Sequence, residues 1–149
     1  MVHSEALDVL RKIAQKPVFS TALPLLMEGT EIALRLDDRV EFALFWRDGK
    51  AQVEERTAQA DVEFSFTGEA LRQMEANPAE HLAAFGIAVL EQGAAGQMRI
   101  KVRGSLWRLA TAGYLQIVLA AGPELLAYLA KYGATNTKKI IDLMRSLKT

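Results

Sequence analysis

The chain of 149 residues has no cysteine, only two histidines and only four prolines. Without cysteine it cannot form disulfides, thiolate zinc sites or a cysteine nucleophile, which fits a reducing compartment. His3 and His81 have no second metal ligand at helical or hairpin spacing, so the sequence predicts no metal site. The glycines do not form a phosphate-binding pattern, and no serine lies in a G-x-S-x-G elbow. These absences predict a protein that is not an enzyme and has no cofactor.

Long hydrophobic runs are also missing. The longest apolar passage, residues 114–130, is interrupted by Gly122, Pro123 and Glu124 and is too short to span a bilayer. The first residues predict an amphipathic helix and not a signal peptide. A soluble cytoplasmic protein is the expectation. If the chain is an enzyme after all, His81, Arg103 and Ser105 are the residues to mutate.

Half of the residues are hydrophobic, and the formal net charge is zero. This composition is that of a globular domain, and the length fits one domain spanning residues 1–149. Acidic residues predominate in residues 61–96 and basic residues from 97 onwards, which hints at docking on an anionic surface. A solvated polar face explains the same pattern. Nucleic acid is not an expected partner.

Alternating apolar residues predict five strands. The first two are separated by Asp37-Asp38, and Asp48-Gly49 marks a type I′ hairpin before the third. A fourth strand begins near Ala60 and a fifth covers residues 97–103. The outward positions of these strands are polar, so helices are expected on one face of the sheet only.

Helical spacing predicts the remaining elements. A pair of helices occupies residues 4–29, with Ser4 as the N-cap of the first; Pro24 marks either a break or a new first turn. Two helices lie between the fourth and fifth strands, a long helix begins at Gly104-Ser105, and an amphipathic helix covers about 136–148. The expected core spans about 31–122.

The fifth strand has a basic face. Arg99, Lys101 and Arg103 point away from Met98, Ile100 and Val102, and Arg108 follows in the next helix. Three like charges on one strand face are unfavourable unless acids oppose them or they meet an anion. Glu41 and Glu63 on neighbouring strands could oppose them; contact of Arg99, Lys101, Arg103 and Arg108 with an anionic surface is the other interpretation.

The passage ADVEFSFTGEAL, a helical region and then GQMRIKVRGSL resemble the sterol carrier protein 2 (SCP2) domain family. The upstream segment EIALRLDDRVEFALFWRDGKAQVEE matches the family's opening strands in length and alternation. The likeness covers roughly residues 31–122. Ser105 stands where the family usually has aspartate, and Gln97 where lysine is common.

The resemblance implies an α+β, SCP2-like fold: a five-stranded, mixed but largely antiparallel sheet, covered on one face by helices, with an apolar tunnel between the layers. It further implies binding, and in some members transfer, of a fatty acyl chain, phospholipid, sterol-like or isoprenoid molecule. The alternative is a non-catalytic accessory module of a lipid or quinone pathway whose tunnel is filled by its own side chains. Peripheral membrane contact and a homodimer stay open.

The family's lipid contacts do not form a motif that can be transferred by position, so ligand-facing candidates come from the apolar pattern of this sequence. Each candidate fits ordinary core packing equally well. The candidates are Phe64, Phe66, Phe85, Val89, Met98, Ile100, Tyr114, Ile117 and Val118.

Overall fold

The computed structural model describes residues 3–77, 82–104 and 112–122, together with 127 and 130. The helices are α1 (His3–Ala14), α2 (Pro17–Ala22), a 3₁₀ turn (Leu23–Leu25), α3 (Gly68–Ala76), α4 (Leu82–Ala94) and α5 (Tyr114–Ala120). The strands are β1 (Glu31–Leu36), β2 (Val40–Arg47), β3 (Lys50–Glu55), β4 (Ala60–Phe66) and β5 (Met98–Val102). The predicted helix at 136–148 and the start of the long helix at Ser105 lie outside the described residues.

The strands form one five-stranded sheet in the order β3-β2-β1-β4-β5. The pairs β1–β2, β2–β3 and β4–β5 are antiparallel, whereas β1 and β4 are parallel. The parallel pair arises because the β2–β3 hairpin lies on one side of β1 and the chain returns to the other side. The expectation of an α+β fold with a mixed, largely antiparallel sheet is confirmed.

Two aspartate-containing turns set the register of the first three strands. Asp48 and Gly49 have φ of 56° and 75°, as a type I′ turn requires, and the flanking residues Arg47 and Lys50 pair directly. Asp37 and Asp38 also have positive φ, of 50° and 56°. Aspartate tolerates this region better than most residues do, so both predicted turns form where the sequence places them.

The N-terminal helices differ from the prediction at Ser4 and decide between the two interpretations of Pro24. Ser4 lies inside α1, which already includes His3, so it is not the N-cap. Pro17 begins α2, and Pro24 lies in the 3₁₀ turn. Proline is tolerated at both places because residues in a first turn have no helical hydrogen bond to lose. Pro24 therefore marks a new turn at the end of α2.

The main core lies between α1, α3 and the inner face of the sheet. The helix α1 packs on β3 and α3 and buries the apolar residues Ala6, Val9, Leu10, Ile13 and Ala14 along one side. Beneath it, Phe42 is fully buried, and Leu44 and Val53 are nearly so. The edge strand β3 is thus anchored by both of its apolar residues, Ala51 and Val53.

The outer face of the sheet differs from the predicted polar surface. Ala33, Ala43, Phe45 and Ala58 form a separate buried apolar cluster there. Ala58 comes from the segment between β3 and β4, whose backbone is held to the sheet by a hydrogen bond from its N–H to Glu41 Oε2 (2.7 Å). A short connecting segment therefore covers part of this face, which strand alternation alone does not reveal.

Candidate functional site

The inner faces of β4 and β5 form one continuous apolar surface. Val62 pairs with Val102, Phe64 with Ile100 and Phe66 with Met98 in the antiparallel register. Residues directly opposite in such a pair have side chains on the same face of the sheet. The register therefore brings together the two apolar strand faces that the sequence picks out.

Most of the candidate ligand-facing residues meet on this surface. Phe66 is buried in the main core, against which Phe64, Phe85, Val89, Met98 and Tyr114 pack while remaining partly exposed. Ile100, with Phe64 and Tyr114, packs against a second cluster made by Val62 and Val102. Ile117 is half-buried on α5; the side chain of Val118 lies outside what the structure describes. A role in ligand contact stays a prediction for all nine.

The two halves of the inner face are filled unequally. On β2 and β3 the apolar inward side chains are buried except for Trp46 at the end of β2, and Phe42 has no exposed surface. On β4 and β5, Val62, Phe66 and Val102 are buried, but the other three apolar inward residues are only half-buried. These half-buried residues are Phe64, Met98 and Ile100. The apolar layer is thus closed over most of β2–β3, up to Trp46 at the hairpin end, and incompletely closed over β4–β5.

The helix over the incompletely closed half is α4. Its sequence, LAAFGIAVLEQGA, is apolar around almost its whole circumference, which is typical of a helix enclosed in a core. Residues 85–89 are nevertheless all half-buried, although they sample every side of the helix. The Phe85 ring packs edge-on against Phe19 of α2, with 5.3 Å between ring centroids. The helix α4 therefore has more apolar surface than its described neighbours bury.

The outer face behind β4 carries an ionic cluster centred on Arg103. Its guanidinium donates to Glu41 Oε1 at 2.6 Å and to Glu63 Oε1, and Ser65 Oγ donates to Glu63 Oε2 at 3.2 Å. Burial alone would raise the pKa of both carboxyl groups, but the hydrogen bonds and charge of Arg103 outweigh it and lower both pKa values. The hydrogen bond to Glu41 contributes most to raising the pKa of Arg103, and the hydrogen bond to Glu63 raises it further.

This cluster settles the interpretation of one basic residue on β5. Arg103 is opposed by Glu41 and Glu63, which was one of the two alternatives. Arg99 is 74% exposed and lies 3.8 Å from the similarly exposed Asp38, and Lys101 is exposed opposite Glu63. Arg108 lies outside the described residues. Contact with an anionic surface stays a prediction, with Arg99 and Lys101 as the accessible part of it.

A second ionic cluster, which the sequence did not suggest, lies at the other end of the outer face. Arg56 binds Glu31 through two nitrogens, at 2.8 and 2.6 Å, and Glu54 through Nε at 2.9 Å. The hydrogen bonds from Arg56 lower the pKa of Glu31, and those to both acids raise the pKa of Arg56. Arg47 and Arg56 both lie over the Phe45 ring, at 4.8 and 5.3 Å. The signal in the sequence is weak, because these residues belong to three different strand ends.

The structure also contains a cavity of about 590 Å³ away from β4 and β5. It lies between the segment 23–31 and the β2–β3 hairpin. Its apolar wall includes Leu26, Met27 and Trp46, and its polar rim includes Glu28, Arg47 and Asp48. Sequence reasoning missed this cavity because its lining comes from separate segments without a common periodicity.

Two features that would indicate other functions are absent from the described part of the chain. Within residues 3–77, 82–104 and 112–122, no three histidine, aspartate or glutamate side chains are grouped to hold a metal ion. In that same part of the chain, no helix combines the length and apolarity that crossing a membrane requires. Two of the residues named for an enzymatic test, His81 and Ser105, lie outside it, and the third, Arg103, is engaged by two glutamates.

Comparisons with known proteins give structural neighbours only. No family model and no curated protein matches the chain. A UbiJ-SCP2 ubiquinone synthesis protein aligns over 80% of this chain and 94% of its own, with 12% identity and a TM-score of 0.45. Its description, like those of the two structures that follow, names SCP2 or a sterol carrier protein.

Two further neighbours have lower scores. Apo sterol carrier protein 2 from Yarrowia lipolytica covers 78% of this chain and 90% of its own, with 14% identity and a TM-score of 0.38. A conserved hypothetical protein from Thermus thermophilus, described as possibly a sterol carrier protein, covers 99% and 89%, with 18% identity and a TM-score of 0.37. The assignment to the α+β class rests on the chain's own sheet and helices.

Proposed function

We propose that this protein binds a hydrophobic small molecule between the inner face of β4–β5 and the helices α4 and α5. The observation that carries the proposal is the unequal filling of the apolar layer. Phe64, Met98 and Ile100 stay half-buried although they belong to the same layer as the fully buried Phe42. Apolar side chains inside a protein layer gain free energy when another apolar group removes their remaining contact with water.

The ligand classes are those with an extended apolar body: a fatty acyl chain, a phospholipid, a sterol-like molecule or an isoprenoid. Removing one methylene from water contributes about 0.8 kcal/mol, so ten methylenes contribute about 8 kcal/mol before the cost of association is subtracted. The surface described on β4, β5 and α4 contains no charged inward side chain. It therefore supports recognition by shape and apolar area, and such sites discriminate weakly between chains of similar length.

A matched pair of substitutions on α4 tests the location. Ala88 packs against the core below it, whereas Ala84 of the same helix is exposed. Ala88→Phe should fill the space under α4 and weaken uptake of a fluorescent acyl probe at least tenfold, while Ala84→Phe should leave uptake unchanged. Native mass spectrometry of the unmodified protein should detect a bound apolar molecule that is lost in Ala88→Phe.

Two outcomes would contradict the proposal. One is a protein that neither carries an apolar molecule nor takes up acyl, sterol or isoprenoid probes. The other is probe uptake that Ala84→Phe and Ala88→Phe reduce equally, since that would place the probe outside the layer.

Transfer between membranes adds a requirement for surface contact. Charge reversal at Arg99 and Lys101 should then slow transfer from anionic vesicles without changing probe affinity.

The second candidate is an accessory or interaction module of a lipid or quinone pathway whose layer is filled by its own side chains. Two contacts favour it: the Phe85 ring packs edge-on against Phe19, and Trp46 packs against the main core. Both side chains thus occupy apolar space themselves. For this function, the purified protein should be free of lipid and take up no probe, and it should form a defined complex with a binding partner in the absence of lipid.

A further inference from the structure

The cavity of about 590 Å³ is separate from the β4–β5 surface. It lies where the segment after the 3₁₀ turn passes the end of β2. Both of its walls are fixed by hydrogen bonds or turns: Met27 N donates to Ala112 O at 2.7 Å, Thr30 N donates to Met27 O at 3.0 Å, and Asp48-Gly49 is the type I′ turn. A space of this size within ordered walls is large enough for a small ligand.

One side of the cavity is apolar. Leu26 and Trp46 are half-buried against the main core, and Met27 is 47% exposed at the entrance. A flexible thioether beside an indole ring adapts to apolar groups of different shapes. This wall favours a ligand with an alkyl or aromatic body.

The charged groups on the other side of the cavity differ in whether they already form ion pairs. The two cationic groups are engaged: Arg56 with Glu31 and Glu54, and Arg47 with Glu54 at 3.3 Å and with the Phe45 ring. The carboxylates of Glu28 and Asp48, in contrast, form no ion pair or side-chain hydrogen bond with any residue of the described part of the chain. The uncommitted charge of the cavity is therefore negative.

We propose that this cavity binds an amphipathic amine, with the apolar body against Leu26, Met27 and Trp46 and the ammonium group at Glu28 and Asp48. An ammonium group has three N–H donors, and the two carboxylates can accept hydrogen bonds from some of them. Thr30 offers a further acceptor: it lines the cavity, and its buried hydroxyl has no partner among the described residues. A side-chain rotation that turns this hydroxyl towards the ligand satisfies it.

The test compares three probes of equal chain length: n-octylamine, n-octanol and n-octanoate. Binding is measured by calorimetry and, in a Trp107→Phe background, by the fluorescence of Trp46. Octylamine should bind more tightly than octanol and at least tenfold more tightly than octanoate. Its affinity should fall with ionic strength, because exposed charge interactions are screened by salt.

Paired carboxyl substitutions locate the ammonium group. Glu28→Gln with Asp48→Asn should weaken octylamine binding about fivefold, as expected for two exposed charge interactions, and should not affect octanol binding. Asparagine tolerates the positive φ at position 48, so the turn is kept. Glu5→Gln with Asp8→Asn on the exposed side of α1 makes the same change in net charge and should have no effect.

Three results would overturn the inference: equal affinity for octylamine and octanoate, equal losses in the two double variants, or loss of octylamine binding in Ala88→Phe. The last result would place the amine under α4. Because Ala88→Phe tests the β4–β5 surface separately, the amine site and the proposed hydrophobic-ligand site can fail independently.

Discussion

Replacing Gly113 by alanine tests how α5 is joined to the rest of the fold. Gly113 has φ of 104° and ψ of 4°, and a Cβ added there would collide with the carbonyl oxygen of Leu25. Next to it, Ala112 O accepts the hydrogen bond from Met27 N. The backbones of α5 and of the segment after the 3₁₀ turn therefore approach so closely that only glycine fits.

The expected loss has two parts. A left-handed backbone costs a non-glycine residue about 1–2 kcal/mol, and forcing an added carbon into a packed site costs about 1–3 kcal/mol more. We expect Gly113→Ala to lower the free energy of unfolding by about 3 kcal/mol. Gly96 is the matched control, because its φ is 78° but nothing lies within 4 Å of an added Cβ. Gly96→Ala should cost about 1 kcal/mol, part of the strain being offset by the lower entropy of the unfolded chain.

Urea unfolding monitored by circular dichroism measures both variants, with slopes compared to confirm that the unfolded states are equivalent. If Gly113→Ala proved no more destabilising than Gly96→Ala, the close approach of the two backbones would be wrong. Gly113→Ala should also weaken octylamine binding, since the displaced segment contains Met27 of the cavity wall.

Three further predictions concern the core, a helix cap and the ionic cluster. Phe42→Ala should lower the free energy of unfolding by about 4 kcal/mol and Phe64→Ala by about half as much, because Phe64 is only half-buried; equal losses in urea titrations would contradict unequal filling. Thr67→Ala should cost about 1 kcal/mol, since the Thr67 hydroxyl accepts from Ala70 N at 3.1 Å, and Thr67→Ser should retain most of this stability in the same titration. Arg103→Met should cost about 2 kcal/mol at pH 7 by removing the guanidinium that two mostly buried glutamates share. The pKa values of both glutamates in the folded state lie below the ordinary value of 4.5, so their stabilisation is present above pH 4.5 and is lost as the pH falls through the folded-state values. The difference in the free energy of unfolding between Arg103→Met and the unmodified protein should therefore shrink between pH 7 and pH 3.

The strands and hairpins follow from the sequence because their signals are local. Alternation assigns each side chain to a face, and Asp48-Gly49 adopts the positive φ values that its turn requires. The parallel pairing of β1 with β4 is different. It joins segments separated by the whole β2–β3 hairpin, and no local pattern specifies it. The mixed sheet was therefore expected only through the resemblance to the SCP2 family.

The candidate site was likewise predictable from the sequence only in part. Alternation places Phe64 and Ile100 on one inner face, and the register makes them direct partners. Their degree of burial depends on the helix above them and cannot be read from their own strands. Likewise, the sequence suggests Glu41 as an opposing acid for the basic face of β5, but only the structure selects Arg103 as the residue that reaches it.

The composition of α4 explains the incomplete closure. The helix that fills the β2–β3 half, α1, directs leucine, isoleucine and valine at the sheet, with Val9, Leu10 and Ile13 all buried. In α4 the residues that pack against the core include the small Ala88, and its largest described side chain, Phe85, packs on α2. Small residues on a covering helix leave space above a sheet unless another group enters it.

The two proposed functions therefore predict changes of opposite sign in the free energy of unfolding of Ala88→Phe. If the space under α4 is open to a ligand, Ala88→Phe fills it and should raise the free energy of unfolding of the lipid-free protein by about 1 kcal/mol. If the protein's own side chains already fill the space, the same substitution overpacks it and should cost about 1–3 kcal/mol. Ala84→Phe controls for the change in helix propensity. Urea titration of delipidated protein gives the sign, and a loss specific to Ala88→Phe would favour the accessory module over the ligand carrier.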